Sequence, residues 1–308
     1  MKLAVGFLTY NHASAKYLPI FLESLRDQTF KDFKILTMDN SDEKENKNSK
    51  YIRENYPEVD IEWSGENLGF AKGQNKLIKK ADKLGADYYM VLNPDTVLEK
   101  NTLEILVKEI ERNGEYASIS PKILKWDFGY NIKTDIVDSC GIELKPGLRF
   151  VDIGQGKTDI GQFDEMEILG PSGASGVYSM KALRAVRENW QYFDERMFMY
   201  KEDCDLNYRL FLHGFKSRCQ GKAVMYHDRT SSGKGDGNLK VALNRFNKSK
   251  KEKRWSFINQ HLIFKKYWKK QNLMNKINII IFEIKAVIFI SIFERFLLKD
   301  FYRFIKGR

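Results

Sequence analysis

The chain is poor in cysteine and has no long apolar run. Its three cysteines, Cys140, Cys204 and Cys219, form neither a CxxC pair nor an even framework, which fits a reducing compartment and sets a disulfide scaffold aside. No segment reaches the roughly 18 uninterrupted apolar residues of a spanning helix. The apolar start, Met1 to Leu8, is too short for a signal peptide and lacks a cleavage pattern, so it reads as a first strand. A cytoplasmic protein is expected, peripheral on the inner face of the cell membrane. Internal repeats are missing. So is a Gly-rich, Lys/Arg-bearing phosphate loop after the first strand, where Thr9-Tyr10-Asn11-His12 stands instead; that counts against a nucleotidyltransferase.

What is present is ordinary globular composition. With 43% apolar and 30% charged residues in 308, wholesale disorder is excluded, and the length suits one large α/β domain or two smaller ones. The net charge of +11 is unevenly placed. From Leu239 onward there are 18 Lys and Arg against 4 Asp and Glu, whereas the remainder holds 34 against 37. The basicity therefore belongs to the tail, and its anionic partner need not be the substrate.

Strand and helix patterns alternate through the first 120 residues or so. Leu3 to Leu8, Phe33 to Met38 and Val59 to Trp63 are strand candidates. Ser14 is a candidate cap for a helix carrying Leu18, Phe21, Leu22 and Leu25 on one face. A charged helix is expected over about Glu43–Asn55. Asn67 to Asn75 runs into another that ends near Gly85, and a third spans about Leu98–Asn113. The alternation predicts right-handed βαβ units and a mostly parallel sheet. Residues 121–170 read as short extended pieces broken by Gly and Pro. Gly170 to Gly176 is a small-residue loop leading into Val177 to Met180. A helix over about Asp203–His213 and a short strand, Ala223 to His227, follow.

The chain is organised around Tyr88-Tyr89-Met90-Val91-Leu92-Asn93-Pro94-Asp95-Thr96. An apolar run bounded by turn residues reads as a buried parallel strand. Pro94 cannot continue a central strand, and it biases Asn93 toward extended backbone. Asp95 is then held just beyond the carboxyl end of a strand, where open α/β sheets bind ligands. Thr9 and Asn11, Asp39, and Asn67 with Gly69 sit at comparable ends, so four clusters converge on one crevice suited to a nucleotide. Asp39 is placed to accept a hydrogen bond from a base or a ribose, and Gly69 permits close backbone approach. Turn chemistry explains each cluster singly, though less well all four together.

Asp95 is a hard oxygen ligand. Mg²⁺ or Mn²⁺ is commonly held by one or two carboxylates plus substrate phosphates. His227, beyond another strand end, is a second candidate ligand. Glu202-Asp203-Cys204-Asp205 gathers three carboxylates at a helix start. Acidic residues there complement the helix dipole in any case, but the aromatic, Met-rich flank favours a general base. Asp203 is the base candidate, with Glu202 or Asp205 orienting it.

As a set, Thr9-Tyr10-Asn11, Asp39-Asn40-Ser41, Asn67-Leu68-Gly69-Phe70-Ala71-Lys72-Gly73-Gln74-Asn75, Asn93-Pro94-Asp95, Gly170 to Gly176 and Glu202-Asp203-Cys204-Asp205-Leu206 resemble the inverting family 2 glycosyltransferases of GT-A fold, most nearly their rhamnosyltransferase-like branch. The likeness covers about residues 1–230. It implies a nucleotide-sugar half over about 1–120 and an acceptor half over about 121–230. Thr9, Asn11, Asp39, Asn67, Gly69, Lys72, Asn93 and Asp95 would bind the nucleotide-diphosphate sugar. Ser172, Gly173, Ala174 and Ser175 would face the acceptor, Asp203 would take its proton, and Asp95 with His227 would hold a divalent cation. The implied activity is sugar transfer to a glycan or lipid-linked glycan in bacterial surface polysaccharide synthesis. Asn93 departs from the acidic residue of many relatives. Asn-Pro-Asp tilts the donor toward dTDP-rhamnose, with a UDP-sugar (galactose, galactofuranose or GlcNAc) as the alternative. A glycan- or lipid-binding protein without activity is a third reading, opposed by the intact Asp95 and Asp203.

After residue 230 a basic helical extension is expected over 231–271 and an amphipathic helix over 272–308. Lys276, Glu283, Ser291, Glu294, Arg295, Lys299, Arg303 and Lys306 trace one polar stripe on it, opposite a wide apolar face. With Lys, Arg, Trp and Tyr flanking, this reads as an in-plane anchor on an anionic membrane. The apolar face argues against nucleic acid. Packing on its own domain or in a homodimer is the alternative.

Overall fold

Alternation along the first strand decides how the molecule is layered. In the computed structural model, which describes residues 1–112, 114–229 and 248–307, β1 (Leu3–Thr9) sends Leu3, Val5 and Phe7 into one core and Ala4 into another. β1 pairs in parallel with β2 (Phe33–Asp39) and β4 (Tyr88–Leu92), and β3 (Asp60–Trp63) extends the edge beyond β2. On the other side β11 (Ser175–Ser179) runs antiparallel between β4 and β6 (Tyr116–Asp127), and β12 (Lys216–His227) lies parallel to β6. Hence β3, β2, β1, β4, β6 and β12 point one way with β11 against them, giving a mostly parallel curled sheet. Short strands β5 (Thr96–Leu98) and β10 (Glu167–Ile168) pair with β12, and β7 (Ile132–Ser139) with β6. A separate hairpin joins β8 (Ile142–Lys145) to β9 (Arg149–Asp152).

Helices cover both faces because each presents one apolar stripe. Under the Leu3 face lie α2 (Leu18–Arg26), with Leu18, Phe21, Leu22 and Leu25, and α5 (Thr102–Arg112), with Leu103, Leu106, Val107 and Ile110. The Ala4 face is covered by α4 (Gly69–Lys83), α6 (Met180–Val186) and α7 (Glu202–Leu212). Two short helices, α1 (Asn11–Ala15) and α3 (Lys47–Asn55), lie beside the ends of β1 and β2. The fold is the α/β arrangement expected of GT-A, with helices at the C-terminal end.

Several sequence-based expectations need correction. Ser14 does not cap the Leu18 helix; it lies within α1, its hydroxyl accepting from Tyr10 N–H at 3.1 Å, and α2 starts at Leu18 with Pro19 in its first turn. The charged helix begins at Lys47 because Asn46 forms a reciprocal cap with Ser49. The helix expected from Leu98 begins at Thr102, since Thr96 to Leu98 are pulled into the sheet by β12. β6 and β12 are long strands of 12 residues each where short pieces were expected. An irregular register between Gln220 and Val224 breaks the alternation that would have revealed β12.

α8 (Lys250–Tyr267) packs its Ile263, Phe264 and Tyr267 against α7 and the β8–β9 hairpin. Residues 231–247 of the expected basic extension lie outside the described residues. The tail is two helices instead of one, α9 (Leu273–Phe293) and α10 (Phe296–Ile305). The break falls where Glu294, at φ −135°, leaves helical geometry and turns inward beside Lys253, 3.6 Å away. Among the described residues no helix is long and apolar enough to cross a membrane.

Candidate active site

The strand ends open onto a cleft of about 730 Å³ that receives residues from both halves of the domain. Thr9, Asn67, Gly69, Asn93 and Asp95 line it from the N-terminal side, and Ser172, Gly173, Ala174, Glu202, Asp203 and His227 from the other. At the end of β4, Asn93 donates its N–H to the Ala174 carbonyl at 3.0 Å, while its own carbonyl accepts the Thr96 hydroxyl at 2.6 Å. That brace fixes the turn through Pro94 and leaves the Asp95 side chain partly exposed to the cleft.

Opposite stands His227, at the end of β12. Its Nε2 is 3.3 Å from Asp95 Oδ1 and its Nδ1 2.8 Å from Asp138 Oδ2. Burial alone would lower the imidazole pKa, but the Asp95 charge and the Asp138 hydrogen bond outweigh it and lift it to about 9. Arg229 pairs with Asp152 at 3.0 Å and with Asp138 at 3.5 Å. The coulombic field of Arg229 and the bond to His227 hold the Asp138 carboxyl low against its own burial. Tyr17 donates its hydroxyl to Asp228 Oδ2 at 2.6 Å, and the Asp228 N–H reaches the Asp95 carbonyl at 2.9 Å.

Asp203 is half-buried in the first turn of α7. Its Oδ2 accepts the Gly173 N–H at 2.8 Å and its Oδ1 the Cys204 N–H at 2.7 Å, so the small-residue loop orients it directly. Glu202 beside it is 4% exposed, and its Oε2 has no hydrogen-bond partner. Burial first, then the neighbouring Asp203 charge, pushes its carboxyl well above the usual range. The buried Ser172 hydroxyl likewise has no partner at the cleft wall.

Not every expected residue reaches the cleft. Asp39 is fully buried behind Thr9: its Oδ1 accepts the Thr9 and Ser41 hydroxyls at 2.9 and 2.6 Å, and its Oδ2 the Asn46 amide at 2.6 Å. Asn11 faces the β2 loop, pairing with Ser41 and Asp42. Lys72 sits on the outer side of α4 with Glu66 at 3.1 Å. Ser175 is buried within β11. Asp205 is turned away altogether, bonded to Arg209, Lys266 and the Tyr267 hydroxyl. The spacing that puts Asp203 toward the cleft puts Asp205, two residues on, across the helix. Conversely, Tyr17, Asp138, Asp152, Asp228 and Arg229 were not anticipated. Asp228 and Arg229 follow His227 immediately, and that is the one signal the sequence offered for them.

The donor set fits a divalent cation as half a site. A metal-binding histidine ordinarily gives its other ring nitrogen to a carboxylate, as His227 does to Asp138, leaving Nε2 on the Asp95 side. Among the described residues no cluster of three or more His, Cys, Asp or Glu could hold an ion alone. The remaining ligands would be water or oxygens of a bound substrate.

The fold has counterparts among solved structures. Residues 5–150 match the family model "Glycosyl transferase family 2". Among solved structures, S. aureus TarS is similar at 19% identity and TM-score 0.50 over 74% of this chain and 36% of TarS. Its 1–349 fragment aligns over 91% of this chain and 79% of the fragment, at TM-score 0.51 and the same 19% identity. GalNAc-T7, solved with UDP, GalNAc and Mn²⁺, is similar at 12% identity and TM-score 0.58 over 73% of this chain and 43% of that one. The chain thus spans less than half the length of full TarS or GalNAc-T7, and at these identities the likeness is one of fold. No curated protein matches the sequence. The match to the family 2 model covers just under half of the chain, and the matched residues lie in a GT-A-like fold that continues well beyond them.

Proposed function

We propose that the chain is an inverting glycosyltransferase that moves a sugar from a nucleotide-diphosphate donor to a hydroxyl of a glycan or lipid-linked glycan acceptor. The observation that carries this is the meeting of Asp95 and Asp203 in one cleft, from opposite halves of the domain. Thr9, Asn67, Gly69 and Asn93 form the donor wall, with Asp39 fixing the strand ends behind it. Asp203, steadied by the Gly173 N–H, accepts the proton of the acceptor hydroxyl. That oxygen bonds to the anomeric carbon as the bond to the nucleotide diphosphate breaks on the opposite face. Asp95 and His227 would hold a divalent cation, which when bound offsets the charge of the departing diphosphate.

For the donor, the Asn93-Pro94-Asp95 loop favours dTDP-rhamnose through its likeness to the rhamnosyltransferase-like branch. A UDP-sugar is the second reading, supported by the GalNAc-T7 complex with UDP and Mn²⁺. The setting is the inner membrane surface. Ile277, Ile280, Ile281, Ile284, Ile288 and Ile292 of α9 are all exposed, 42 to 59% each, in a tail rich in Lys and Arg. A lipid-linked acceptor would lie at that surface.

A donor screen by nucleotide-diphosphate release, with and without Mn²⁺, tests the assignment. Wild type should turn over one donor class, Asp95→Ala should lose Mn²⁺ stimulation, and Asp203→Asn should fall by a factor of about 100 or more. Turnover unaffected by both changes refutes it.

A further inference from the structure

The residues leading into Asp203 do not hold their shape alone. Tyr200 and Lys201 both stand at φ +72°, a left-handed pair of non-glycine residues directly before α7. Two such residues in succession persist only where the surroundings over-determine them. Lys201 is the N-cap of α7 yet makes no side-chain cap, so the direction in which the helix leaves, and with it Asp203 two residues on, depends on this pair.

Its surroundings are supplied by α8. Asn259, 3% exposed, donates its side-chain amide to the Met199 carbonyl at 2.9 Å and the Tyr200 carbonyl at 2.7 Å. From the same helix Glu252 accepts the Tyr200 hydroxyl at 2.8 Å, and Trp255 stacks on Phe198 with ring centroids 4.9 Å apart. Phe198 in turn reaches the donor wall, its carbonyl accepting the Phe70 N–H at 2.8 Å beside Gly69. The far side of α8 packs on the tail, with Phe257 against Phe301 and His261 Nε2 2.9 Å from Glu283.

We propose that Asn259 is a positioning residue of the transfer reaction: its amide, bridging two consecutive carbonyls, holds the left-handed Tyr200–Lys201 pair that aims Asp203 at the acceptor. Without it two carbonyls at the buried contact lose their donor, the cost of which the segment relieves by turning them to water. The pair relaxes toward ordinary backbone and Asp203 withdraws from the Gly173 N–H. Thr9 and Asn93 stand at the ends of β1 and β4, which Asn259 does not touch, and the Phe198 carbonyl that braces the 67–70 loop lies one residue before the two carbonyls Asn259 holds, so the donor contacts survive. The inference rests on the proposed role of Asp203.

The test compares Asn259→Ala and the isosteric Asn259→Asp, which cannot offer two N–H bonds, with Phe257→Leu on the far face of the same helix. Both Asn259 variants should lose roughly 10- to 100-fold in kcat, the scale set by a displacement of about 1 Å in a reacting group. Their donor KM, and nucleotide-diphosphate affinity by calorimetry, should stay within twofold. Phe257→Leu should lower the melting temperature while keeping kcat within twofold. An Asn259→Ala enzyme with kcat within twofold of wild type overturns the proposal. So does a parallel loss of donor affinity, or an equal kcat loss in Phe257→Leu. A crystal structure of Asn259→Ala decides independently of turnover. Tyr200 and Lys201 still left-handed, with Asp203 still on the Gly173 amide, would overturn the proposal even if Asp203 were confirmed as the base. A displaced Asp203 supports it even if the donor remains unidentified.

Discussion

His227 Nε2 lies 3.3 Å from Asp95 Oδ1, the end of β12 meeting the turn after β4. With no cation between them the imidazole carries the positive charge. Its pKa of about 9 exceeds the unfolded value near 6.5, so the native state binds the extra proton. The stability this provides is complete below about pH 6.5 and is lost as pH rises through about 9. The spread corresponds to something on the order of 3 kcal/mol. Thermal melts in chelator across pH 6 to 10 should show this decline, and His227→Gln should flatten it. Mn²⁺ with a nucleoside diphosphate should flatten it too. A wild-type curve level across that range would remove the ion pair from consideration.

Glu202 shifts in the same direction as His227, from a different cause. Its folded pKa is raised by burial and by the Asp203 charge, so it too binds a proton that the unfolded chain gives up. Its relative stability is greatest below the ordinary carboxyl range and falls as pH rises. Glu202→Gln, which keeps shape and removes that proton, should melt higher than wild type at pH 7 to 8, and the difference should vanish near pH 4. An equal or lower melting temperature at pH 8 would mean that Glu202 is ionised or otherwise paired.

Much of this was legible in the sequence, for definable reasons. The parallel half of the sheet follows from apolar runs such as Tyr88 to Leu92 that end on turn residues, and α2, α4 and α5 follow from their i, i+3, i+4 stripes. Asp95, Asp203 and Gly173 reach the cleft because each sits at an element end, which local sequence marks. What stayed hidden depends on long-range pairing. The Asp138–His227 bond joins β7 to β12, and nothing near either residue announces it. In the sequence Asp205 reads as a candidate to orient Asp203. Its place across α7, the Arg209 pair, and the arrival of Lys266 and Tyr267 from α8 make it structural.

Asp205 therefore gives a clean contrast with Asp203. It is fully buried, with Arg209 Nε at 3.0 Å, Lys266 Nζ at 2.8 Å and the Tyr267 hydroxyl at 2.7 Å. Removing one member of a buried charge cluster leaves the others uncompensated and costs about 3–5 kcal/mol. Asp205→Asn should lower stability by about that amount in urea unfolding, with turnover of the remaining folded enzyme reduced far less than in Asp203→Asn. Equal stability in the two variants, with equal loss of turnover, would return Asp205 to the catalytic group.

Gly69 tests the donor wall. It stands at φ +69°, and a Cβ there would lie 2.5 Å from the Phe198 carbonyl oxygen. The Asn67 side chain caps the same turn by accepting the Gly69 N–H at 3.0 Å. Gly69→Ala combines left-handed strain with a backbone clash, so a loss of about 1–3 kcal/mol is expected. Donor KM should rise as the 67–70 loop moves away from Phe198. An alanine variant with wild-type melting temperature and donor KM would show that the loop yields without consequence.

The exposed isoleucines of α9 make the last prediction quantitative. Ile281, Ile284 and Ile288 are 44, 56 and 55% exposed, so each keeps about half its side chain free to enter a lipid surface. Burying the remainder should contribute about 1 kcal/mol per residue. The triple change to Ser should therefore lower partitioning onto anionic phosphatidylglycerol vesicles by about two orders of magnitude, while leaving turnover on a soluble acceptor unchanged. Salt acts on a different part of the same binding. Raising ionic strength screens the Lys and Arg of α8 to α10 and should weaken wild type and variant by the same factor. If the serine variant partitions as wild type does and salt alone releases both, the tail holds lipid by charge only, and its isoleucine face serves a protein contact.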